Sequence, residues 1–164
     1  MGELELLRAD HADAVLDFEL ENRGYFATSI SDRGDDYFEH FSDRHAAMLA
    51  DQDAGRGAYY VLADDDGSIL GRFNLLLGDE GVATLGYRVA GRAAGRGVAT
   101  AAVGEICALA AHQGVRTLRA ATSYSNLASQ RVLLNNGFRP VGPAGPEDLG
   151  GKTGKWYERD LLDE

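Results

Sequence analysis

A strand that runs through a glycine-rich loop straight into a helix is a place where backbone can hold an anion. Residues 85–100, Leu-Gly-Tyr-Arg-Val-Ala-Gly-Arg-Ala-Ala-Gly-Arg-Gly-Val-Ala-Thr, have that form. The first N–H groups of a helix have no partner within it and the helix dipole is positive there, so small residues let backbone donors close around a phosphate. The candidate donors are Val89, Ala90 and Gly91 at the strand end, Ala94, Gly95, Arg96 and Gly97 in the loop, and Val98, Ala99 and Thr100 in the first helical turn. Arg96 and Arg92 would add charge at the rim. A glycine-x-glycine step before a helix also suits a purely structural tight turn. Two more specific phosphate motifs fail. A dinucleotide fingerprint read from Gly95 meets Thr100 where its third glycine belongs, and Gly151-Lys152-Thr153, which ends like a Walker A loop, has Pro146 at the required glycine.

A second stretch, Asn126 to Phe138, places Asn126 and Ser129 three apart and ends in Gly-Phe. The spacing suits an N-cap asparagine, a first-turn serine and a C-cap Gly137. Other reactive residue types carry less. Cys107 is the single cysteine and lies in an alanine-rich run, the setting of a small buried hydrophobe. His40 and His45 are five apart, on different helix faces, and His11 and His112 fall near helix ends, so no metal site is expected. Glu80 falls in a turn and Glu105 within a helix, and neither is marked as a base.

The elements that must position these residues follow from hydrophobic periodicity. A short strand through Leu4, Leu6 and Leu7 precedes a helix capped by Asp10 and running to Asn22, with Ala14, Val15, Phe18 and Leu20 as its apolar positions. Tyr25 and Phe26 fall in a loop, and Asp35 to Gln52 reads as a second amphipathic helix. Strands at 58–63, 69–77 and 82–89 are separated by Asp-Asp-Asp-Gly and Gly-Asp-Glu-Gly turns, which predicts an antiparallel meander. A helix over 98–112 follows, then a strand at 117–122, a helix at 129–136 and strands at 138–142 and 156–161. The fold class is α+β, with a mixed, mostly antiparallel sheet of about six to seven strands flanked by about four helices.

Composition narrows the partners. The chain of 164 residues suits one domain, 1–164, and its net charge of −10 opposes nucleic acid binding. Such a surface aids solubility and would also attract amines or basic peptides. No targeting segment and no apolar run of membrane length is present, which predicts a cytoplasmic protein with no membrane partner. The 21 glycines, nearly twice the usual ~7%, call for tight turns and a close backbone approach.

Taken with these motifs, the sequence resembles the GNAT superfamily of acyl-CoA-dependent N-acetyltransferases from about residue 3 to 162. Residues 87–90 and 95–100 resemble the superfamily's pyrophosphate-binding strand, loop and helix, and residues 126–138 its N-x-x-S/A helix ending in Gly-Phe. The form is similar to the branch of the ribosomal-protein N-terminal acetyltransferases RimJ and RimL. One departure is Ala94, which stands where the family has Gln or Arg, and is expected to change affinity rather than abolish binding, because backbone donors do most of the phosphate work.

The resemblance implies acetyl-CoA as co-substrate, no metal, and direct attack of an amine on the thioester through a tetrahedral oxyanion held by a backbone N–H near Val89. Many relatives give the departing thiolate a proton from a tyrosine at the position of Leu133, so Ser129, with Asn126, is the expected substitute as a hydrogen-bond donor to the sulfur. Tyr25, Phe26 and Asn74 are the candidate acceptor-binding residues, with the second helix and the 142–155 loop beside them. An α-amino group needs less deprotonation than a lysine, so the expected acceptor is a protein or peptide N-terminus. The alternatives are a small-molecule amine and a non-catalytic acyl-CoA sensor. The oligomeric state, a homodimer included, stays open.

Overall fold

Alternation along the central strands divides the apolar residues between two sheet faces, and each face has collected its own helices. The computed structural model describes residues 2–161; the expected domain also includes Met1 and 162–164, which lie outside the described residues. Seven strands, β1 (Glu3–Leu6), β2 (Gly57–Ala63), β3 (Ile69–Leu77), β4 (Val82–Val89), β5 (Thr117–Ser123), β6 (Arg139–Ala144) and β7 (Gly154–Asp160), form one sheet in the order β1-β2-β3-β4-β5-β7-β6. Neighbours are antiparallel except β4 and β5, which are parallel.

The described residues contain six α-helices, α1 (Ala12–Glu21), α2 (Arg23–Phe26), α3 (Asp35–Glu39), α4 (Phe41–Asp53), α5 (Val98–His112) and α6 (Leu127–Asn135), where about four were expected. The difference lies in the N-terminal third. The predicted second helix breaks at His40 (φ −109°, ψ 25°) into α3 and α4, without a glycine or proline to mark the break. Tyr25 and Phe26 sit on the short helix α2 rather than in a loop. Asp10 does not cap α1; it lies in a 3-10 turn and hydrogen-bonds Arg8, and Leu20 is exposed. The C-terminal edge strand β6 carries Pro140 and Pro143, which fit an edge that need not donate on both sides.

On one face, Phe73 and Leu75 of β3 and Leu85 of β4 share a core with Val103 and Ile106 of α5, all 2% exposed or less. Each such side chain contributes roughly 1.5–3 kcal/mol by leaving water. On the other, Tyr59 and Val61 of β2 pack with Val15 and Phe18 of α1 and Phe41 of α4. Cys107 is buried on α5.

A parallel pair needs a crossover, which α5 supplies between β4 and β5. Their pairing is short: Val82, Ala83 and Thr84 of β4 meet Thr117, Leu118 and Arg119 of β5, and no further register follows. Beyond Thr84 the two strands part, while β4 remains paired with β3 as far as Val89 and β5 with β7 as far as Ser123. The interruption in the middle of the sheet is the feature that positions the site.

Candidate active site

Where β4 and β5 diverge, a cavity of about 590 Å³ opens. That is within the 300–1,000 Å³ usual for small-molecule sites. The end of β4, the loop into α5, the start of α6 and helix α2 form its walls. Among the described residues no Asp, Glu or His lines it, whereas Arg88 and Arg131 do. In a chain of net charge −10, this is a locally cationic pocket.

The glycine loop provides the donors. Ala93 and Ala94 turn back onto Ala90 and Gly91 through backbone hydrogen bonds of 3.0 and 3.1 Å. Gly97 then takes a left-handed conformation (φ 75°, ψ 5°) at the N-cap of α5, and Ala101 is the first residue whose amide bonds back, to the Gly97 carbonyl. Among the described residues no protein group accepts from the amides of residues 95–100. Gly95 and Gly97 have nothing within 4 Å of where a side chain would stand, and no acidic residue occupies the first turn of α5. Six amides therefore remain available at the positive end of a 15-residue helix, the arrangement that binds phosphate.

Helix α6 presents the polar group. The Asn126 side chain accepts a hydrogen bond from the Ser129 amide at 3.2 Å, so Asn126 is the N-cap. Ser129 Oγ lies 2.8 Å from the phenolic oxygen of Tyr87, whose ring stacks on Phe73 with centroids 5.8 Å apart. Burial pushes the Tyr87 phenol up to about 12, with the Ser129 hydrogen bond opposing the rise, so it remains a hydrogen-bond donor at neutral pH. Leu133 is fully buried beneath α6 and does not line the cavity.

The far side of β4 faces a different environment. Arg88 projects toward α1 and α2, where its guanidinium lies 4.9 Å from the Phe26 ring centroid and 3.3 Å from Glu19. Glu19 is 1% exposed and also binds Arg33 through two hydrogen bonds and Arg72 through one of 2.7 Å. Burial lowers the Arg88 guanidinium to about 10, with Arg33 acting the same way and Glu19 opposing.

Of the expected residues, Val89, Ala94, Gly95, Gly97, Val98, Ala99 and Thr100 line the cavity, as do Asn126, Ser129, Tyr25 and Phe26. Four do not. Ala90 is buried with its amide on the Leu70 carbonyl, Gly91 donates to Asn22 Oδ1 and lies against the Tyr25 ring, and Arg96 is exposed outside the lining. Asn74 is half-buried on β3 between Tyr59 and Gly86. Arg92 is turned away toward Ser68 and Asp64. Sequence reading missed Tyr87 and Arg88, although both lie inside the strand segment that raised the phosphate expectation. It also missed Glu19, whose spacing from Val15 (i, i+4) puts it on the inward face of α1.

These features define a class. Residues 3–139 match the family described as "Acetyltransferase (GNAT) domain", and the chain belongs to that family of acyl-CoA-dependent N-acetyltransferases. The fold is shared with ribosomal-protein-S5-alanine acetyltransferase from Vibrio fischeri (TM-score 0.87, 20% identity, covering 98% of this chain and 93% of that one). It is also similar to Mycobacterium smegmatis RimJ, solved with CoA-disulfide (TM-score 0.83, 22% identity, 98% and 83% covered). A third similar structure, from Salmonella typhimurium, is an acetyltransferase that modifies the N-terminal serine of 50S ribosomal subunit protein L7/L12 (TM-score 0.82, 18% identity, 96% and 93% covered). No curated protein matches the sequence. Among the described residues no helix is long and apolar enough to cross a membrane.

Proposed function

We propose that this protein transfers the acetyl group of acetyl-CoA to the α-amino group of a peptide or protein N-terminus. The observation that carries the reading is the row of unpartnered amides at residues 95–100, opening into a cavity with cationic and no anionic side chains. A diphosphate fits those donors, and the bound carrier supplies an activated acyl thioester.

The chain's own groups divide the work. The amides of residues 95–100 bind the diphosphate, and the backbone N–H near Val89, where β4 no longer pairs with β5, polarises the acyl carbonyl. Ser129 hydrogen-bonds the sulfur as it gains charge. Tyr87 and Ser129 share a hydrogen bond between their hydroxyls, and the tyrosine hydroxyl also lies within reach of the Ser129 carbonyl, which holds the serine beside the cavity. No carboxylate or imidazole among the described residues lines the cavity to take a proton from the amine. That favours an α-amine, whose pKa of about 7.7–8.0 leaves a useful neutral fraction at pH 7 to 8, over a lysine near 10.4. The same cationic lining disfavours polyamines, and we propose a cytoplasmic location, where peptide N-termini and acetyl-CoA meet.

Calorimetric titration with coenzyme A, followed by assay of coenzyme A release over a panel of peptides and small amines, tests the reading. Binding and turnover of peptides support it. No heat at millimolar coenzyme A overturns it, and turnover of small amines alone moves the acceptor to that class. Binding without transfer to any amine would instead make the protein a sensor.

A further inference from the structure

Three arginines converge on one buried carboxylate at the acceptor side of the sheet, and they are not equally satisfied. Glu19 binds Arg33 through Nε and a terminal nitrogen at 2.9 and 3.1 Å and Arg72 at 2.7 Å, while Arg88 holds it through one contact of 3.3 Å. Among the described residues no other carboxylate hydrogen-bonds Arg88. A guanidinium has five N–H donors, so most of those on Arg88 have no acceptor among the described residues. Its side chain is 17% exposed, and Arg88 lines both the main cavity and a small adjoining one shared with Glu19, Arg33 and Asp32. Three arginines contact this one carboxylate directly, with the Arg23–Asp32 ion pair beside them, so the half-buried Arg88 is the least compensated of the three and suited to a further anion.

Location identifies which anion. Arg88 and Arg72 are directly opposite in the β3–β4 register and lie on the sheet face of α1 and α4. The phosphate-binding amides precede α5, which packs on the other face. The Arg88 guanidinium, 4.9 Å from the Phe26 ring centroid, thus sits beside α2, on the sheet face opposite the one that packs α5.

We propose that Arg88 is a specificity-determining residue that receives a carboxylate of the acceptor, so that acceptors with an acidic group next to the reacting amine are preferred. The inference rests on the transferase reading above. The carboxylate could be a side chain at the second position of a peptide or the α-carboxylate of a free amino acid, since both present the planar geometry that a guanidinium binds in two-point fashion.

Paired acceptors decide between outcomes. The full chain is assayed for coenzyme A release with peptides that differ only by Asp or Asn at the second position, and with free alanine against alaninamide. The expected result is a preference in kcat/KM of about tenfold or more for the carboxylate member of one pair, which also names the source. Arg88→Gln should bring that ratio close to one. If Arg88→Gln does not fold, Arg88→Lys, which keeps the charge but not the fork, should lower the ratio at least about threefold. Equal turnover within every pair, or a preference unchanged in these variants, overturns the proposal and leaves acetyl transfer standing. No turnover of any acceptor overturns both.

Discussion

The phenolic oxygen of Tyr87 lies 2.8 Å from Ser129 Oγ, joining the end of β4 to the first turn of α6 across the wall of the cavity. The contact ties the Ser129 hydroxyl to the cavity wall, beside the place a bound group would occupy. Ser129→Ala is therefore expected to lower kcat about tenfold to a hundredfold with little change in coenzyme A affinity, and Tyr87→Phe to lower it less. Steady-state kinetics and titration of both variants check this. An alanine variant with the parent rate would reduce Ser129 to a first-turn residue of α6.

Gly97 and Gly154 separate two uses of glycine. At Gly97 (φ 75°) a methyl group would meet no protein atom, so Gly97→Ala costs only the left-handed strain, about 1–2 kcal/mol, while placing the methyl in the open space where a diphosphate would approach the amides. Gly154 pairs with Ser123, and a methyl there would run into the Thr122 carbonyl and stand 2.7 Å from Ser123 Cα. Gly154→Ala should cost about 3 kcal/mol or more. Denaturant melts give the stabilities, and only Gly97→Ala is expected to weaken coenzyme A at a stability loss this small.

Glu19 makes stability depend on acid. Burial pushes its carboxyl up, but the hydrogen bonds and charge of Arg33, with the charges of Arg88 and Arg72, more than offset this and hold it below the usual 4.5. A carboxyl lowered by folding stabilises the protein fully above its unfolded value and loses that contribution as pH falls through the lower folded one. The melting temperature of the parent should exceed that of Glu19→Gln by a constant margin above about pH 5, and the margin should shrink below pH 4.5. At neutral pH the variant leaves the buried Arg72 and the half-buried Arg33 and Arg88 without their carboxylate, an expected loss of about 3 kcal/mol.

Leu133 tests whether a phenol can be restored on α6. The side chain is fully buried in the core shared with α5, so Leu133→Tyr should overpack it, lowering stability by about 1–3 kcal/mol without raising kcat. A variant of parent stability and higher turnover would contradict this placement.

Much of the architecture was legible in residue order. Alternation and turn residues placed β3 and β4 at their observed bounds, and the apolar run 98–112 matched α5, because these elements are both locally favoured and centrally packed. The glycine loop was legible for the same reason: glycine before a helix start constrains backbone locally, and backbone carries the anion chemistry. The break at His40 and the short α2 left no such local mark, since packing of Tyr37, Phe41 and Phe26 against the sheet decided them.

By itself the sequence determined the order of the strands and of helices α1, α5 and α6, the family, and the loop whose amides the fold leaves unpartnered. The tertiary structure alone decided that β4 and β5 separate after Thr84, that Tyr87 reaches Ser129 forty-two residues away, and that Arg88 gathers with Arg33 and Arg72 around Glu19. The physical reason is range. Period and turn chemistry act over a few neighbours, whereas the charge and donor balance of a site is set by side chains that only folding brings together.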